Sequence, residues 1–248
     1  MKLRVIAILS LFVAVSCSTM EGITGGSSSD LNQKKQALRA LADTARTSGN
    51  STAAAELEGQ IVSLDSSDED SFVNLGKTLR KMGKTQESLD ILQTGLELNP
   101  ESEKILLGLA RSYVASGDPD AALGRLSLVT KFKEREFYNI QGVAFDMIGE
   151  HQQAQNSYKT WLAKDMDDDF ILNNLAVSYI LDQKYKDAIT ILSKLANGPK
   201  SRPKYRQNLA LAYGMQANPD QAMRYLMKDM PKEAAKQNLD FYKLVSGK

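Results

Sequence analysis

A second cysteine and a second histidine are what this chain most conspicuously lacks, since Cys17 and His151 are alone of their kind among 248 residues. A lone cysteine closes no internal disulfide. A lone histidine, expected to be exposed beside Gly149-Glu150 in a turn, completes no His/Cys metal site and offers little to a Ser-His or Cys-His nucleophile, so no cofactor or catalytic centre is expected. Charge of one sign is missing too. Of the 31 lysines and arginines, Lys2 and Arg4 fall in the first sixteen residues, leaving 29 basic against 30 acidic residues in the remainder. That balance excludes a polyelectrolyte binder and hence nucleic acid. The apolar run from Val5 to Val15 is well short of the roughly 20 residues a membrane span needs. Two local patterns fail on inspection. Asp165, Asp167, Asp168 and Asp169 alternate like calcium ligands, but Phe170 and Ala176 stand where such a loop needs Gly and Glu. Negative charge at the start of the next helix explains them better. Ser201-Arg202-Pro203-Lys204 fits a Ser-x-x-Lys string but lies in a proline-rich connection without companion motifs.

What is present is a repeat. A small residue recurs at Ala42, Gly76, Ala110, Gly142, Ala176 and Ala210, at intervals of 34, 34, 32, 34 and 34 residues. Just before it stand Leu41, Leu75, Leu109, Gln141, Leu175 and Leu209. Three positions after it stand Ala45, Leu79, Tyr113, Phe145, Tyr179 and Tyr213. Glycine opens a turn at Gly49, Gly83, Gly117 and Gly149, and a second small residue follows at Ala54, Ser88, Ala122, Ala154, Ala188 and Ala222. Two antiparallel helices approach closely only where a side chain is small, and the large neighbour fills the space beside the contact. No single hairpin buries its own apolar face, so stability accumulates along the array. The pattern resembles the tetratricopeptide repeat and implies an all-α right-handed superhelix of six hairpins. Their expected bounds are 35–68, 69–102, 103–134, 135–168, 169–202 and 203–236, with a capping helix over 232–245. Repeat one looks least regular, with Glu58 at an ordinarily apolar position, as expected of a terminal repeat with one face toward solvent. The two residues missing between Val129 and Glu136 predict a shortened or tightened turn between repeats. Trp161 stands where alanine is usual and reads as a core anchor, with a partner hot spot as the alternative.

Residues 1–16 place Lys2 and Arg4 ahead of the apolar run and end in Ala14-Val15-Ser16 before Cys17, which reads as an export signal. The junction resembles the lipobox of bacterial lipoproteins, although Ala14 replaces the usual leucine. That resemblance implies lipidation of Cys17, and Ser18 in place of aspartate implies outer-membrane retention. Residues 17–34, with Gly25-Gly26-Ser27-Ser28-Ser29, read as a lipidated flexible tether. The array is then expected in the periplasm of a Gram-negative bacterium.

First helices line the inner face of such an array, and their inward positions form the candidate partner groove. Arg39, Arg46, Lys77, Arg80, Lys81 and Arg111 supply a basic first half. Val143, Met147, Phe170, Asn173, Val177, Ile180, Leu181, Leu211 and Met215 supply an apolar second half. Polarity is thus expected to change along the groove. The Lys and Asn positions of the carboxylate clamp in chaperone-binding arrays do not line up, which disfavours a co-chaperone.

The segment Arg206-Gln207-Asn208-Leu209-Ala210-Leu211-Ala212-Tyr213, then Lys228-Asp229-Met230 and Gln237-Asn238-Leu239-Asp240-Phe241-Tyr242, resembles the ending of TadD-like lipoproteins of tight-adherence (Flp-type) pilus assembly. The resemblance implies a non-enzymatic adaptor holding a peptide or amphipathic helix of a secretin or another pilus assembly protein. Six-repeat lipoproteins of the type IV pilus pilotin class are the near alternative. A general scaffold for cell-wall or outer-membrane biogenesis is the broader one.

Overall fold

The computed structural model describes residues 28–246; Cys17, the export signal and residues 18–27 of the expected tether lie outside them. Thirteen α-helices and no strand occur among the described residues. They run as α1 (Ser28–Thr47), α2 (Ser51–Leu64), α3 (Glu69–Lys81), α4 (Thr85–Leu98), α5 (Glu103–Ser116), α6 (Pro119–Leu126), α7 (Arg135–Met147), α8 (His151–Leu162), α9 (Asp169–Leu181), α10 (Tyr185–Asn197), α11 (Pro203–Met215), α12 (Pro219–Leu226) and α13 (Lys232–Ser246). Each odd-numbered helix up to α11 packs on the even helix that follows, and each hairpin packs on the next. Successive first helices also touch, α3 to α5, α5 to α7, α7 to α9 and α9 to α11, and so form one continuous inner layer. Helix α1 begins at Ser28, so its first turns occupy part of the span expected as tether.

The small positions do what their size predicts. A Cβ added to Gly76 would lie 2.8 Å from Leu92, and one at Gly142 would enter the ring of Tyr158. Leu92, Leu126, Tyr158, Leu192 and Leu226 share one position in the second helix and are all buried. Burying each leucine contributes about 1.5–3 kcal/mol. Gly49, Gly83, Gly117 and Gly149 open the hairpin turns at φ of 76–82°, where a side chain is strained. The last two hairpins adopt the same turn with Gln183 (φ 58°) and Ala217 (φ 65°).

Repeat three corrects the expectation of a shortened or tightened turn, because the helix shortens instead. Helix α6 ends at Leu126, and residues 127–134 connect it to α7. The Glu103 carboxylate at the start of α5 accepts the N–H groups of Thr130 (3.0 Å), Lys131 (2.9 Å) and Phe132 (2.8 Å), plus the Thr130 hydroxyl (2.7 Å). Backbone donors held by a carboxylate are not free to continue a helix. Desolvation opposes ionisation of Glu103, but the bonds from Phe132, Thr130 and Lys131 prevail and hold its pKa at about 2.

Glu58 is the second correction. The sequence suggested a solvent-facing position in a terminal repeat, yet Glu58 is 1% exposed, at the site where the later repeats put Leu92 to Leu226. Its Oε1 lies 3.4 Å from Arg46 Nη1, while Oε2 is buried without a hydrogen-bond partner. Burial raises its pKa to about 7, against the pull of Arg46.

Candidate functional site

The inner layer is built so that the first residue of a hairpin latches onto its last. Lys35 pairs with Asp65 and Asp68, Glu69 accepts the Ser102 hydroxyl at 2.5 Å, and Arg135 binds Asp168 through Nε (2.5 Å) and Nη2 (3.1 Å). Asp168 also caps α9 through the N–H groups of Phe170 (3.1 Å) and Ile171 (3.2 Å) and accepts the Trp161 indole N–H at 2.9 Å. Burial works against its charge, but Arg135, Ile171 and Trp161 together hold the carboxyl below its ordinary value. Trp161 is therefore a packing anchor at a repeat junction, part-buried against the cluster of Tyr158, Ile171 and Leu175.

These latches and pairs consume several expected groove residues. Arg39 is bound to Asp68, and Arg46 to Asp43 and Glu58. Ile180 is 6% exposed and belongs to the core of the last two repeats. Asn173 is buried in a chain of side-chain amides across α7, α9 and α11. Asn174 donates to Asn139 (2.7 Å), Asn173 to Asn174 (3.3 Å) and Asn208 to Asn173 (2.8 Å). Val143, Val177, Leu211 and Met215 are half-buried. Exposed apolar surface remains at Met147 (45%) and Leu181 (50%), the last residues of α7 and α9.

The basic residues divide between solvated and packed positions. Lys77 and Lys81 are exposed, and neither forms an ion pair among the described residues. Arg80 is half-buried, and its guanidinium donates to Ser112 Oγ at 3.0 Å without a carboxylate partner. Burial lowers its pKa to about 10, with Arg111 adding to the effect and Glu136 opposing it. Arg111 binds Glu136 at 2.6 Å and borders a cleft with Glu134, Arg135, Asn139 and Phe170. Phe170 is no open apolar anchor. Arg135 and Lys204 each lie 4.8 Å from the centre of its ring, a distance at which a cation is held by the ring quadrupole. Lys204 forms no ion pair among the described residues, and burial followed by repulsion from Arg202 and Arg135 lowers its pKa.

Polarity therefore changes across the second half of the groove, not along it. Arg135 and Lys204 stand at the amino ends of α7 and α11, while Met147 and Leu181 stand at the carboxy ends of α7 and α9. The sequence reading missed Arg135 and Arg202 because they flank the sampled repeat positions, and it passed over Lys204 although that residue holds the place in α11 that Phe170 holds in α9. The signal was α11 itself, which starts with Lys204 in its first turn and no acidic residue there.

The polar groups near His151 do not form a nucleophile relay. His151 Nδ1 lies 3.0 Å from Asp146 Oδ1, and Ser178 donates to that same oxygen at 2.7 Å, so the serine faces the carboxylate and not the imidazole. His151 is half-buried, a correction to its reading as an exposed turn residue. Among the described residues no group of three His, Cys, Asp or Glu side chains is placed to hold a metal. None of the described helices is long and apolar enough to cross a membrane.

Residues that carry the pilus-family resemblance are engaged in closing the array. Arg206 donates to Asp229 through Nε at 2.8 Å and to Ser201 Oγ through Nη1 at 2.8 Å. Tyr242 lies against Gly214, where an added Cβ would come within 2.6 Å of its ring. Helix α13 thereby covers α11 and α12.

Residues 79–137 match the tetratricopeptide repeat family. No curated protein sequence matches the chain to a significant degree. Among solved structures, a tetratricopeptide repeat protein from Parabacteroides merdae superposes with a TM-score of 0.67 at 16% identity, over 86% of this chain and 93% of the other. Pseudomonas aeruginosa pilF gives 0.63 at 14% identity over 79% and 90%. A thermophilic TPR protein of Thermus thermophilus gives 0.61 at 21% identity over 72% and 98%. At these identities the likeness is one of fold. The helices, their inner layer and these neighbours agree that the chain has the tetratricopeptide-repeat fold, with six hairpins closed by a carboxy-terminal helix.

Proposed function

We propose that the protein is a lipid-anchored periplasmic adaptor that holds a segment of a secretin or another pilus assembly protein in its inner groove. The observation that carries the binding role is the pair of exposed apolar side chains, Met147 and Leu181, at adjacent helix ends on the inner layer. Exposed apolar surface opposite unpaired cations gives a partner both an anchor and an orientation. Support for the anchor is the Cys17 junction, and support for the pilus process is the TadD-like ending. If both the Cys17 thiol and the new amino terminus are acylated, each buried methylene contributes about 0.8 kcal/mol, which makes release negligible.

Two substitutions separate the two parts of this reading. Cys17→Ser is expected to leave helix content intact and move the protein out of the outer-membrane fraction. Leu181→Glu is expected to leave it anchored and folded but to lower surface pilus number, because an unpaired carboxylate must be desolvated on binding. Unchanged fractionation contradicts the anchor. Normal piliation with a folded Leu181→Glu protein contradicts the groove.

A further inference from the structure

We propose that the inner face carries an anion-binding track running obliquely across it from Arg80 to Lys204, and that the track takes an extended acidic segment of the partner protein. The inference rests on the adaptor reading above and adds the chemistry of what is held.

The obliqueness follows from where each cation sits on its helix. Arg80 is next to last in α3, Arg111 lies within α5, Arg135 opens α7, and Lys204 is second in α11. Continuity follows from their mutual effects. Arg80 feels Arg111, Arg111 and Arg135 border one cleft, and Arg135 and Lys204 share the ring of Phe170. The middle of the track is already compensated, since Arg111 binds Glu136, Arg135 binds Asp168, and Glu134 lines the same cleft. Its ends are not. Arg80 has a serine hydroxyl as its partner, and neither Lys204 nor Arg202 has an ion-pair partner among the described residues. A partly desolvated cation without a counter-charge costs free energy in the unbound protein, and a carboxylate supplied by a ligand recovers it.

A ligand fitting this distribution carries acidic groups at two points, with uncharged residues between them over the cleft. Four steps between neighbouring first helices, each about 8–10 Å, correspond to roughly ten residues of extended chain. A protein segment with that spacing is favoured over a polyphosphate, because the middle of the track, with its cations already paired and Glu134 beside them, offers uniform negative charge nothing to bind.

The test uses the purified full-length protein in detergent and a fluorescein-labelled peptide with glutamates at both ends of a ten-residue uncharged stretch, read by fluorescence anisotropy at two salt concentrations. Binding is expected to weaken by about tenfold or more when glutamine replaces the glutamates, and to weaken with salt. The double variant Arg202→Gln, Lys204→Gln is expected to lose a similar factor at unchanged helix content, as is Arg80→Gln. Arg224→Gln, on the second helix of repeat six, is expected to bind as the parent does. Equal binding of the glutamate and glutamine peptides overturns the proposal, as do unchanged affinities in the track variants. Tighter binding of a single-stranded oligonucleotide or of anionic phospholipid vesicles than of the acidic peptide overturns it as well. If the peptide fails while Leu181→Glu still abolishes piliation, the track is wrong and the groove adaptor stands.

Discussion

Repeat one and repeat six face the same difficulty, an end with no neighbouring hairpin among the described residues, and they meet it in opposite ways. Repeat six is covered by α13, whose Ala235, Leu239 and Tyr242 are buried against α11 and α12. Among the described residues nothing covers repeat one, and there Leu41 is 56% exposed while its counterparts Leu75, Leu109, Leu175 and Leu209 are buried. It also carries a carboxylate in its core at Glu58, where repeat six has Leu226. Covalent order along a solenoid does not make its ends equivalent, because each hairpin's stability depends on what lies beside it. The amino-terminal end is accordingly the looser of the two, and local opening is expected to start there.

The largest expected effect removes the advantage of repeat six. Tyr242→Ala takes a buried ring off Gly214 and is expected to cost about 3 kcal/mol or more, seen in chemical denaturation, with amide exchange in α11 and α12 rising toward that of α1. Glu58→Leu removes the handicap of repeat one and is expected to stabilise by about 1–3 kcal/mol near pH 8. The sign follows from proton uptake. Glu58 has a folded pKa of about 7, above the ordinary glutamate value of 4.5, so the native state binds more protons than the unfolded chain between those values. Stability of the parent falls as pH rises through that window, and the leucine variant lacks this slope. Thermal denaturation at pH 5 and pH 8 checks it, and a stability gain of equal size at both pH values contradicts the assignment. Smallest is Ala217→Gly. The corresponding turn of repeat one uses Gly49, and relieving φ of 65° at Ala217 is expected to add about 0.5–1 kcal/mol.

The hairpins were legible in the sequence because their small positions answer to a steric need that recurs every turn of the array. Ala42, Ala110, Ala176 and Ala210 are all fully buried. Glu58 was misread because polarity was taken as a sign of exposure, and nothing in the local sequence reports that Arg46 lies over it. The missing two residues of repeat three were visible, but the structural outcome depended on Glu103, 27 residues away from Thr130. At the groove, Lys77, Lys81, Met147 and Leu181 are exposed as periodicity suggested. Arg39, Arg46, Asn173 and Ile180 are taken up by pairs, amide chains or core, which periodicity cannot register. Phe170 shows the same limit from the other side, since its cation neighbours Arg135 and Lys204 come from two different repeats.

Site-specific photo-crosslinking in cells, from Leu181 on the inner layer and from exposed Thr190 on the second helix of the same repeat, tests the central claim most directly. Mass spectrometry then identifies what each position captures. The groove account predicts that Leu181 captures a pilus outer-membrane assembly protein, that Thr190 does not, and that the Arg202→Gln, Lys204→Gln pair reduces the yield. Capture of that protein from Thr190 with Leu181 silent would contradict it.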